Sequence, residues 1–253
     1  MILLIKKNNL LFGGLVLVLC LSILGINLAF RGGESASAAT VPTLNAKGKT
    51  VIIDAGHGGE DPGAVSNFNG LVEKDVTLIL ANQTKELLEK EGYKVIMTRT
   101  DDVLVYEGDN LSMTAKRRQD LLKRKQTMDE SEADIVVSIH LNSYTDPQYS
   151  GAQTFYTKNS LSGKKLAQAI QESLKTNVDP DNDREAIEKK DDIIITKNCK
   201  CTTVIVECGF LSNEVECQKL ADEEYQKKLS AAIKAGIDQY FTVMAPEASS
   251  TPK

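Results

Sequence analysis

Apolar residues recur along this chain in two rhythms. Short runs at 50–54 ("TVIID"), 93–98 ("YKVIMT") and 134–139 ("DIVVSI") are nearly continuous, as in strands buried on both faces. Between them the period lengthens toward that of a helix. From Val72 to Glu91, Val76, Ile79, Leu80, Leu87 and Leu88 share one broad face, and Gly92 closes the segment. A second helix is predicted from Ser112 to about Met128. Farther on, "AQTFYT" at 152–157 reads as a strand at or near a sheet edge, and Ser160 to Thr176 as a helix. The polar segment 177–191, "NVDPDNDREAIEKKD", reads as a loop. "DIIIT" at 192–196 and "TVIVE" at 203–207 read as two further strands, and two helices follow, the last from about Glu223 to Val243. Strands alternating with helices predict an α/β fold: one three-layer domain whose mostly parallel, roughly six-stranded sheet is covered by helices on both faces.

The first forty residues have neither rhythm. Lys6 and Lys7 precede 21 uncharged residues, 10–30, and Arg31 follows. At ~1.5 Å per residue that is about enough helix to cross a bilayer. The segment exceeds the ~7–15 residues usual for a cleaved signal core, yet "SASAAT" at 35–40 offers small residues for a signal peptidase. Retained as an anchor or cleaved, it exports the rest, and the lysines favour a cytoplasmic N-terminus. The expected organisation is a basic N-terminus (1–9), the apolar helix (10–30), a Gly/Ser/Ala linker (31–47), a single folded domain (48–243) and a frayed tail (244–253).

With 253 residues and 42% hydrophobic content, the chain supports one sizeable core. Its net charge of -5 argues against a nucleic-acid binder, which needs a basic face. The one basic run, "KRRQDLLKRK" at 116–125, reads as a solvated helix surface. Of five cysteines, Cys20 lies in the apolar helix, while Cys199, Cys201, Cys208 and Cys217 fall close together. Their spacing is not that of paired C-x-x-C knuckles, so buried or incidentally paired thiols are favoured over a metal site.

Candidate chemistry sits where strands end. In open parallel sheets ligands bind beyond the carboxyl ends of the strands. "TVIID" runs into Ala-Gly-His57-Gly-Gly, "DIVVSI" into His140 and "TVIVE" stops at Glu207; Glu73 opens the first helix on the same edge. Those are the chain's only two histidines. Either alone reads as a satisfied core residue. Together with the glutamates they make a catalytic zinc set: two imidazoles and one carboxylate leave a coordination position open, and the second carboxylate is free to act as base. Glu73, in a first helical turn, gains from the helix dipole as an anion, which favours its ligating form.

The segments "IIDAGHGGEDPGAV", "GLVEKDVTL", "TRTDD", "SIHLNS" and "VIVECGFLSNEVE" together resemble the zinc-dependent N-acetylmuramoyl-L-alanine amidases of bacterial cell walls, over residues 50–241. "KRRQDLLKR", "GAQTFY" and "NDREAIEKKDD" are most similar to the spore-cortex or germination members. The resemblance implies one Zn²⁺ per chain held by His57, Glu73 and His140, Glu207 as the catalytic carboxylate, and Arg184 and Asn142 as substrate contacts. It implies peptidoglycan as substrate, an extracytoplasmic location, and leaves open an activating protein partner. The chain departs from the family pattern at Ala55, where a proline is usual, at Thr202-Thr203, where Pro-Ala is usual, and in "NCKCTT". Two other readings share the groove: a catalytically silent wall-binding protein, and a zinc peptidase cutting within the stem peptide.

Overall fold

A computed structural model describes residues 48–190 and 193–244. The apolar segment 10–30 with Cys20, the linker 31–47 and the tail from 245 lie outside the described residues. Among those described, no helix is long and apolar enough to cross a membrane.

Six strands form one sheet: β1 (Thr50–Ala55), β2 (Lys94–Met97), β3 (Ile135–Asn142), β4 (Gln153–Tyr156), β5 (Ile187–Glu188) and β6 (Thr202–Phe210), in the order β2-β1-β3-β6-β4-β5. The first four in that order run parallel, β4 is antiparallel to β6, and β5 pairs parallel with β4. Five helices pack on the sheet: α1 (Glu73–Lys90), α2 (Met113–Glu130), α3 (Leu161–Asn177), α4 (Glu214–Leu220) and α5 (Glu223–Met244). The predicted α/β class and mostly parallel sheet are those observed.

Alternation along each strand divides the core. Val51, Ile53 and Ala55 of β1, with Ile135, Val137 and Ile139 of β3, join the large cluster closed by α1, α3 and α5. Ile52 and Val136 face the other way, onto Met128 of α2 and Ile195. Helices therefore cover both faces, but unequally. Ser112 and Ser160 cap α2 and α3, their hydroxyls accepting from Ala115 N and Gly163 N.

The structure corrects four local expectations. Of "DIIIT", the described residues 193–196 are not a strand: Thr196 N and Lys197 N both donate to Ile193 O, making a helical turn whose Ile195 plugs the smaller core. A short apolar run does not distinguish a strand from a buried turn. The sixth strand is instead β5, inside the segment read as loop, which leaves β4 one place in from the edge. On α1, Ile79 is exposed and Leu87 half-buried, while Thr77, Ala81 and Thr84 take the inward face. The run 116–125 is not wholly solvated either. Asp120, Arg124 and Met128 form a buried stripe at four-residue spacing, and hydrophobic periodicity is blind to a buried face whose members are charged.

Candidate metal centre and active site

The carboxyl ends of β1, β3 and β6 deliver the predicted residues to one edge. His57 lies just beyond β1 in the left-handed region, with φ 62°, where non-glycine residues are uncommon and strained. Two arginines hold the backbone there. Arg99 donates to Ala55 O and Gly56 O, at 3.0 and 2.9 Å, and Arg124 donates to Ala55 O and His57 O. A tight turn, with Gly58 and Asp61 exchanging two 3.0 Å backbone bonds, brings Asp61 back onto His57. The Asp61 carboxylate lies 2.8 Å from His57 Nδ1, leaving Nε2 to point at Glu73, 3.1 Å away.

Glu73 is the buried hub. One carboxylate oxygen lies 3.0 Å from His140 Nδ1 and accepts from Leu141 N at 3.0 Å, while the other accepts from Ala64 N at 2.8 Å. One ligand atom from each of His57, Glu73 and His140 lies within 4.8 Å of the others. Among the described residues this is the only such group of three. The approach is close enough to need glycine at two positions. A Cβ on Gly56 would strike the His140 ring, and one on Gly63 would come within 2.5 Å of the Glu73 carboxylate and 2.7 Å of the His57 ring.

The electrostatics follow from this packing. Burial disfavours charge on every member, but mutual pairing outweighs it. Glu73 is held far below the usual carboxylate range by both histidines, and His57 is pushed up to about 9 by Asp61 and Glu73. Asp61 is held at about 2 against burial, first by His57. A cluster of this kind can exchange its protons for a cation.

Glu207 stands apart from this pairing. It faces His140 in register across β3 and β6, and its Oε2 is buried without a hydrogen-bond partner. Burial raises its pKa, the environment of a proton-transfer group. Gln153 of β4 is its partner on the other side. Arg184 reaches this neighbourhood from the loop before β5: it donates to Ser150 O and, at 2.9 Å, to Gln153 Oε1, and lies over the Phe210 ring at 4.7 Å. Asn142 lies two residues past His140, beyond a bulge that pairs it with Phe210, and its side-chain oxygen accepts from Ser143 N.

The sequence reading missed three residues. Asp61 was signalled by standing four residues after His57 in a glycine-rich turn. Arg99 lay within "TRTDD". Arg124, inside a basic run, carried no signal that separates a buried guanidinium from an exposed one. The four cysteines form no common metal cluster: Cys208 and Cys217 are buried, while Cys199 and Cys201 lie half-buried at the opposite end of β6.

Comparison with known proteins gives the same family at every level. The N-acetylmuramoyl-L-alanine amidase family model matches residues 51–239. The germination-specific N-acetylmuramoyl-L-alanine amidase of Bacillus subtilis is 36% identical over 200 residues, 79% of this chain and 83% of that protein. The solved CwlD amidase of Clostridioides difficile, in complex with the GerS lipoprotein, is 45% identical with a TM-score of 0.75, over 77% of this chain and 99% of that one. A second amidase structure, from Clostridium difficile 630, is 30% identical with a TM-score of 0.65, over 77% and 97%. The His57–Glu73–His140 cluster is consistent with this family's metal site, and membership in a cell-wall amidase family implies action outside the cytoplasm. The chain belongs to the N-acetylmuramoyl-L-alanine amidase family and is an enzyme that hydrolyses the amide between N-acetylmuramic acid and L-alanine in peptidoglycan.

Proposed function

We propose that this amidase works with one zinc ion held by His57 Nε2, Glu73 and His140 Nδ1, and that Glu207 moves the proton. The observation that carries the reading is an unpartnered, buried Glu207 carboxylate oxygen beside three converging donors. When bound, zinc supplies a Lewis acid that polarises a carbonyl and lowers the pKa of a water toward about 7. Asp61 fixes the tautomer and orientation of His57, as carboxylates do for metal-bound imidazoles. Glu207 takes the proton from the attacking water and returns it to the departing amine of L-alanine. Arg184, which reaches Gln153 beside Glu207, and Asn142, two residues past His140, contact the substrate, with Arg184 offering its charge to a carboxylate of the stem peptide.

The likeness to a germination-specific relative supports a role in the spore cortex, where removal of the peptide prepares muramic acid for lactam formation. The relative solved with a lipoprotein supports a protein partner of that kind for this chain. Residues 10–30 serve as the signal or anchor that carries residues 48–243 to the wall.

The test is zinc content by elemental analysis together with new N-terminal alanine released from peptidoglycan, on the full chain with and without a lipoprotein partner. About one zinc per chain is expected, with alanine release lost in Glu207→Gln and zinc retained. Absence of zinc would overturn the metal assignment. Loss of zinc from Glu207→Gln would overturn the division of roles.

A further inference from the structure

The thiols of Cys199 and Cys201 lie at the amino end of β6, the end of the strand opposite Glu207. Their sulfurs are 3.7 Å apart. Thr203 Oγ1 donates to Cys199 Sγ at 3.0 Å, while Cys201 Sγ is turned toward Met128 O at 3.5 Å. The two sulfurs thus have different surroundings: one accepts, the other donates. Both line a polar cavity of about 480 Å³ that also presents Lys158 and Lys200, so small molecules can reach them. Cys208 and Cys217 are fully buried in the main core by contrast.

We propose that Cys199 and Cys201 form a second reactive site, a dithiol that exchanges with disulfides: Cys199 is the attacking sulfur and Cys201 the resolving one. Hydrogen bonds to Cys199 from its neighbours, with Lys125 nearby, bring its thiol down to about 6 despite burial, whereas Cys201 is raised. A thiolate fraction at neutral pH makes a thiol nucleophilic.

The Cys199 thiolate attacks one sulfur of a small-molecule or protein disulfide, forming a mixed disulfide and releasing one thiolate. Cys201 then gives up its proton and attacks the Cys199 sulfur, forming the Cys199–Cys201 bridge and releasing the second thiolate. The chain loses two hydrogens and the incoming disulfide is reduced to two thiols. With one residue between the cysteines the bridge closes a small ring, and strained bridges are readily reduced. That suits an exchanging pair better than a structural staple. Action outside the cytoplasm, which the amidase family implies, puts the pair in a compartment where disulfides persist.

The test uses the folded full chain and oxidised glutathione. Trypsin cuts after Lys197, Lys200 and Lys219, so it separates Cys199 from Cys201 and leaves residues 198–200 and 201–219 joined only by a bridge. Wild type should give this linked pair, at about 2 Da below the sum of the reduced peptides, with little lasting adduct. Cys201→Ser should accumulate a glutathione adduct on Cys199. Cys199→Ser should react at least about tenfold more slowly. The rate of adduct formation in Cys201→Ser should rise through a midpoint below the ordinary thiol range, because Thr203 Oγ1 still donates to Cys199 Sγ. Equal slow reaction of the cysteines in the folded chain, or a persistent adduct on wild type without the linked peptides, would overturn the proposal. Serine at either position keeps size and polarity, and unfolding curves of both variants separate loss of reactivity from loss of fold.

Discussion

Two ionic clusters flank the last residues of β1, and they differ in one respect. Around Asp54 every group is answered. Arg124 lies 2.9 Å from its carboxylate, Thr98 and Ser138 donate to it, and Arg124 also pairs with Asp120. Around Glu73, sixteen residues after His57, donors of metal-binding type face one another, and Glu207 beside them has an oxygen with no partner. The first cluster is closed and serves the fold. The second is open, and under the proposed function it serves chemistry. Burial and charge alone do not separate the two, since both are buried and both shift pKa values; the state of the hydrogen-bond ledger does.

Breaking the open cluster should cost activity far more than stability. His140→Ala should remove the metal and reduce alanine release to background, with a small change in the urea midpoint of the metal-free protein. A large loss of stability there would mean that His140 is mainly structural. Glu207→Gln should keep the metal and slow turnover on the order of 10²–10⁴-fold. Because it replaces a carboxylate whose buried oxygen lacks a partner, the variant should unfold at an equal or higher temperature than wild type. A markedly lower melting temperature would place Glu207 with the closed cluster instead.

The closed cluster should respond in reverse. Arg124→Met leaves Asp54 and Asp120 buried without their cation, a loss of about 3–5 kcal/mol, measurable by urea unfolding. Residual activity per folded molecule should fall less than in Glu207→Gln, because Arg99 still holds Ala55 O and Gly56 O. Asp61→Asn tests the link between the clusters and the metal. It keeps the shape of the side chain but not its charge, and metal affinity should drop about 10- to 100-fold, read by competition with a chelator. Unchanged affinity would mean that the glycine turn alone orients His57.

The same contrast explains what was legible in the sequence. His57, Glu73, His140 and Glu207 were readable because strand ends and a helix start are visible as changes of period, and parallel topology puts those ends on one edge. Strands β1, β3 and β6 were readable as apolar runs. "DIIIT" misled because apolar content fixes burial and not backbone geometry; its Ile195 is indeed buried, in a turn. Arg124 and Asp120 were illegible because their burial depends on Asp54, far away in sequence, and on carbonyls of a loop whose path no local pattern specifies. The closed cluster is a product of tertiary contact, whereas the open one is announced by residue type.

The smallest expected effect separates the clusters by pH. Asp54 is held at about 2: burial would raise it, but Arg124, Ser138 and Thr98 prevail. A depressed carboxylate contributes stability above its unfolded value, near 4, and loses it as pH falls through 2, here about 2 kcal/mol. Glu73 and Asp61, also depressed, add to that acid limb. His57 acts on the other side. Raised to about 9, it contributes stability fully present below its unfolded value, near 6.5, and lost as pH rises through 9. Metal-free protein should therefore weaken in urea both below pH 4 and as pH rises from about 6.5 to 9. Zinc takes the place of the proton on His57, so the alkaline fall should vanish when zinc is added while the acid fall remains. An alkaline limb indifferent to zinc would show that His57 is not where the metal binds.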